Sequence, residues 1–187
     1  MLDRAKDFSH DFAKYRDMGS THPYRTIVDY YGDRRAFRSG VHLINHIDEG
    51  LVILEALGAD DTTKSAYCLH PIFQAGPDLA YAYERGWHKV FSVDIMMHVM
   101  EYRNRANRYL CAPLYDNSNC PNKLNTAVIP GVRLMLIADK IQNKKDFMAH
   151  HHNNHKHSDV LETYFNNWFR LLELSDEEVT RLTNLIT

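Results

Sequence analysis

Apolar residues recur along this chain at intervals of three and four, the spacing of one helix face, and two-residue alternation is nearly absent. Between positions 41 and 57 they fall at 41, 43, 44, 47, 51, 54 and 57, and Gly58 follows as a stop. The pattern predicts a helix over 41–57 that carries His42 and His46, four apart, on one side. Asp60 or Asp61 can cap a second helix through TTKSAYCLH, which ends at His70. Pro71 interrupts or kinks that helix, because proline removes one backbone donor and crowds the preceding turn. Pro77 and Gly86 bracket a short helix, DLAYAYER. Residues 89–110 read as a long helix, and 131–147 as a buried one with an apolar centre. Residues 160–174 are amphipathic and rich in aromatics, and Ser175 to Glu178 spell a capping box that opens a last short helix. The stretch 111–130 contains Pro113, Pro121 and Pro130 and reads as a loop, long enough at about 20 residues to serve as a functional lid. The fold class is therefore all-α.

At 187 residues the chain has the length of one domain, and no repeat or Gly/Ser-rich linker divides it. Only 150–157, HHHNNHKH, approaches low complexity. Hydrophobic residues at 44% and charged residues at 25% exclude general disorder. Lys and Arg number 22 against 24 Asp and Glu, a net charge of −2, so there is no strong nucleic-acid signal. Apolar runs such as 51–54 and 134–138 fall far short of the roughly 20 residues of a spanning helix, which argues against a membrane partner. The first residues mix both charges without an apolar segment, and three cysteines lack any CxxC spacing. Both features lead to the expectation of a cytoplasmic protein. The unusual number is 12 histidines.

Three positions carry candidate chemistry. His46 and His70 sit on successive predicted helices, and Asp139 lies inside the apolar run LMLIADKI. A carboxylate there is expensive unless it pairs with a buried Lys or Arg, meets a helix terminus, or binds a cation. Glu101, Arg105 and Arg108 fall on neighbouring helical rows, as either an anion-binding wall or a salt-bridged solvated face. His150, His151, His152, His155 and His157 read as a transition-ion binder or a plain polar loop. Trp87, Trp168, Phe165 and Phe169 read as core or docking residues.

The order of motifs resembles the HD superfamily of metal-dependent phosphohydrolases, and most closely its RelA/SpoT-type domain, which removes the 3′-pyrophosphate of guanosine tetraphosphate. Arg38-Ser-Gly-Val-His-Leu-Ile-Asn-His46 is similar to that family's basic-S-G-x-P-Y-I-x-H entry. GLVILEALGADDTTKSAYCLH resembles its following helix, and MLIADKIQNKKDF its KLADRLHNMR. The likeness covers about 33–147, with C-terminal helices over 159–186. It implies an HD-type helical bundle and a divalent metal (Mn, Fe or Zn) held by His46, His70 and Asp139. It also implies a phosphorylated nucleotide as partner, with Arg38, Asn143 and Lys145 beside it, and leaves a homo-oligomer open. Phe37 stands where the family more often has a stacking Arg.

The departures fall where the chemistry matters. The family's Asp directly after the second histidine is here Pro71, and the Glu-Asp pair tied to water activation falls on Gln74 and Ala75. Asp78 is the nearest carboxylate that a local rearrangement would bring in, unless it is merely a solvated residue in the turn after Pro77. Two expectations follow: an altered phosphohydrolase, or a silent relative that binds or sequesters a nucleotide or a protein partner. Similar degenerate HD proteins occur in phage genomes, which extends the second expectation to a host-modulating role.

Overall fold

The computed structural model describes residues 22–37, 39–109, 128–152 and 158–187. Among them the secondary structure is helical: α1 (Pro23–Tyr31), α2 (Ile44–Ala56), α3 (Asp61–Gln74), α4 (Gly76–Glu84), α5 (Val93–Tyr109), α6 (Pro130–His150), α7 (Ser158–Leu171) and α8 (Asp176–Thr183), with a 3₁₀ turn at Trp87–Lys89. The expected all-α class is what the chain adopts. One isolated antiparallel bridge, Arg35 to His42, is the only β pairing among the described residues.

Local chemistry sets the boundaries. Asp60 caps α3, its side chain accepting from the Thr63 amide at 2.7 Å. The capping box before α8 forms as the sequence predicts, with Ser175 Oγ accepting from the Glu178 amide at 3.2 Å and the Glu178 carboxylate from the Ser175 amide at 3.0 Å. The helix predicted over 41–57 begins only at Ile44. Its first residues are taken by a turn in which the Ala36 amide bonds the Val41 carbonyl and the Leu43 amide the Arg34 carbonyl, with Gly40 at φ 70°. His42 therefore does not share a helix with His46. The long helix predicted from 89 starts at Val93, after the 3₁₀ turn. Helix α1 was not anticipated, although His22 caps it and Pro23 occupies its first position.

Helices α3 and α6 form the centre. Helix α3 packs against α1, α2, α4, α5 and α6, and α6 also packs against α2, α5, α7 and α8. Residues 135–142 of α6 are all buried, as their apolar pattern predicts. One glycine permits a close approach: a Cβ on Gly50 of α2 would fall 2.1 Å from the hydroxyl of the fully buried Tyr67 on α3. Tyr67 can lie across α2 only because that side chain is missing, and α2 and α3 carry the two candidate histidines.

Candidate metal centre

His46 on α2, His70 on α3 and Asp139 on α6 converge although they are far apart in the chain. His46 Nε2 lies 3.2 Å from His70 Nε2 and 3.4 Å from Asp139 Oδ1, and His70 Nε2 lies 3.7 Å from the same oxygen. A triangle with those sides has a circumradius of about 2.0 Å, so one point stands at metal-bond distance from all three atoms. His70 and Asp139 are buried and His46 is partly so.

The partners of the other ring nitrogens decide what these atoms present. His70 Nδ1 lies 2.6 Å from the Tyr67 carbonyl, an acceptor, so Nδ1 holds the proton and Nε2 offers a lone pair. Pro71 makes that carbonyl available. In an uninterrupted helix the residue-71 amide would bond Tyr67, and proline has none. Pro71 does not end α3, which continues to Gln74. His46 Nδ1 lies 2.6 Å from Gln142 Oε1. The Gln142 amide is oriented by its nitrogen, which donates to Glu49 Oε2 at 3.0 Å and Asp146 Oδ2 at 2.8 Å. Gln142 Oε1 therefore accepts from His46, whose Nε2 also faces the common point. Two imidazole lone pairs and a carboxylate oxygen, all acceptors, converge there. Such a cluster is stable when a cation or a proton sits among its members.

The two imidazoles differ electrostatically. Burial pushes the His70 pKa down to about 3, so it stays neutral in ordinary buffer, the form a metal requires. Burial works against a charge on His46, but the neighbouring Asp139 carboxylate and Gln142 outweigh this and raise its pKa, so a proton competes with a cation for its Nε2. Burial also works against the Asp139 carboxylate, yet the Lys140 charge first, then His46 and His70, hold it well below the usual carboxylate range. Lys140 Nζ lies 2.6 Å from Asp139 Oδ2. One of the alternatives for this acid is realised, since Oδ2 faces a buried lysine, while Oδ1 faces the imidazoles and can still take a cation.

The centre opens into a cavity of about 530 Å³. Tyr31, Phe147, Leu161, Tyr164 and Phe165 give it apolar and aromatic walls, and Asn143, His42, Ser39 and His151 add polar groups. Of the residues expected beside a nucleotide, Asn143 lines this cavity. Lys145 lies off it and is held by Glu49, at 2.6 and 2.8 Å, and by Asp146 at 2.9 Å. Arg105 bonds Glu101 at 2.7 Å on its own helix and Arg108 is exposed; neither lines the cavity. Phe37 is fully exposed and also lies off it. Arg38, the loop over 111–127, His155 and His157 lie outside the described residues.

Asp78 does not substitute for the missing carboxylate. It accepts from the Tyr30 hydroxyl and stands apart from the converging trio. With α3 continuous through Pro71, Asp78 sits in the first turn of the next helix rather than swinging toward His70. Gln74 lines the cavity, and Ala75 is an exposed cap residue. Sequence reasoning missed Lys140, Gln142 and Glu49. The last two carried a signal: Glu49 is three residues after His46, and Gln142 three after Asp139, on the same helical rows.

Compared with models of known protein families, with curated proteins and with solved structures, the chain matches none. No helix among the described residues is long and apolar enough to cross a membrane.

Proposed function

We propose that this chain is an HD-type metal-binding protein that acts on or binds a phosphorylated nucleotide. The observation that carries the reading is the convergence of His46 Nε2, His70 Nε2 and Asp139 Oδ1 on one point at the wall of a cavity. Its volume of about 530 Å³ falls within the range of small-molecule sites, roughly 300–1,000 Å³. A divalent ion held there supplies a Lewis acid for a phosphoryl oxygen and an acidified water. His46 and His70 hold their Nε2 lone pairs in place through Gln142 and the Tyr67 carbonyl. Asn143 offers an amide toward a ligand's polar groups, and Tyr31, Tyr164 and Phe165 offer ring faces for a base.

A second reading, a binding protein without turnover, is favoured by one feature: Pro71, Gln74 and Ala75 carry no carboxylate. Loss of a general base typically costs about 10²–10⁴-fold in rate. One experiment separates the two. Purified protein is incubated with a panel of phosphorylated nucleotides and Mn, Fe, Co, Zn or Mg, and release of phosphate or pyrophosphate is followed beside a His70→Ala control. Metal-dependent release above that control is the expected result. A nucleotide-induced thermal shift without product assigns the chain to the silent reading. Neither release nor shift with any metal contradicts both.

A further inference from the structure

Lys140 has no part in the ligand set, yet it lies against it. Its ammonium is buried, 2.6 Å from Asp139 Oδ2, with Nζ 4.9 Å from the Trp168 ring centroid and 5.8 Å from that of Tyr164. It also lines the cavity. The lysine therefore cancels locally the only charge that the three ligands offer a metal. Behind Gln142, Lys145 lies between Glu49 and Asp146, so that second group carries one net negative charge. All five charged groups together sum to −1. A divalent ion brings the assembly to +1, inside a largely buried site where uncompensated charge is costly. Among the described residues, the two acids that line the cavity beside it, Asp139 and Asp146, are already paired and so do not supply the missing negative charge.

We propose that Lys140 makes this centre take up its metal as a pair with an anion, the phosphate group of a ligand in the cavity, rather than as a bare ion. The inference rests on the metal-centre reading and adds a regulatory device to it. Lys140 lowers the affinity for metal alone by occupying Asp139 Oδ2. The same positive charge favours an anion at the metal's open side. Metal and phosphate are then thermodynamically coupled, each tightening the other by one common factor. A resident phosphorylated ligand would retain the metal, and its departure would loosen it.

The test is Mn(II) titration by calorimetry of the wild type, Lys140→Met and Lys140→Gln, each with and without inorganic phosphate. Lys140→Gln keeps a polar side chain beside Asp139 Oδ2 without the charge, and serves if the methionine variant does not fold. In the wild type, phosphate should tighten Mn(II) at least tenfold. In either variant, Mn(II) alone should bind at least tenfold tighter than in the wild type, and the phosphate effect should shrink by at least tenfold. A lysine with a merely structural role would weaken metal binding when removed. Wild-type binding indifferent to phosphate, or variants that bind Mn(II) no tighter, overturns the proposal while leaving the metal centre standing. A wild type that binds no Mn(II) under either condition removes the metal centre and the proposal together.

Discussion

Among single residues, Asp139 joins the two halves of the site. Its two oxygens do different work: Oδ2 balances Lys140, and Oδ1 completes a trio with two imidazoles. Removing the carboxylate removes both. An Asp139→Ala chain leaves the Lys140 ammonium buried among Trp168 and Tyr164 without its counter-ion. Breaking a buried pair this way typically costs about 3–5 kcal/mol. Chemical denaturation of metal-free protein should show a loss of that order. A loss under about 1 kcal/mol, the usual worth of an exposed pair, would mean that the lysine finds other compensation. The acid was legible as an anomaly, a carboxylate in an apolar helix. Its lysine partner was not, because adjacent residues on a helix do not ordinarily face each other. The rings of Trp168 and Tyr164 on α7 lie beside the lysine that makes this contact.

At the scale of elements, Pro71 is the most informative departure. The sequence marks it as a helix breaker, but α3 runs four residues past His70. The missing amide leaves the Tyr67 carbonyl to the His70 imidazole, which fixes the ring so that Nε2 faces the trio. The proline thus orients its neighbour instead of ending the helix. In Pro71→Ala the restored amide competes for that carbonyl. Since an interior proline costs a helix about 3 kcal/mol, the variant should melt higher than the wild type. It should also bind Mn(II) more weakly, approaching the 10–100-fold typical of lost outer-shell partners. A higher melting point with unchanged affinity would show that His70 needs no such help. Opposite movements of stability and affinity are what a positioning role predicts, and a packing role would move them together. The other element-level surprise, the late start of α2, has a plain cause. The Ala36, Gly40 and Leu43 amides bond the Val41, Ala36 and Arg34 carbonyls in a local turn, which periodicity alone does not reveal.

At the scale of the molecule, the all-α architecture was legible because most helices carry a three-and-four apolar repeat and several have explicit caps. The long-range geometry was legible only through the resemblance that selected His46, His70 and Asp139. Nothing in their local spacing says that α2, α3 and α6 meet. The supporting chain of Lys145, Glu49, Gln142 and His46 was half-visible as polar positions on the inward rows of α2 and α6. Arg105 pairs with Glu101 on its own helix and is not among the described residues that line the cavity. The cavity itself is the sum of α1, α2, α3, α6 and α7 walls and of the turn before α2, and no single segment announces it.

The central claim is that three separate helices hold one divalent ion. Its most direct test is the metal content of protein purified without chelator, by elemental analysis, for the wild type and for His46→Ala, His70→Ala and Asp139→Asn, with occupancy then restored by Mn(II), Fe(II) or Zn(II). The wild type should hold close to one equivalent of a transition ion per chain after reconstitution, and each variant less than a tenth of that. Equal metal in the wild type and all three variants, or none in any of them, would contradict the account.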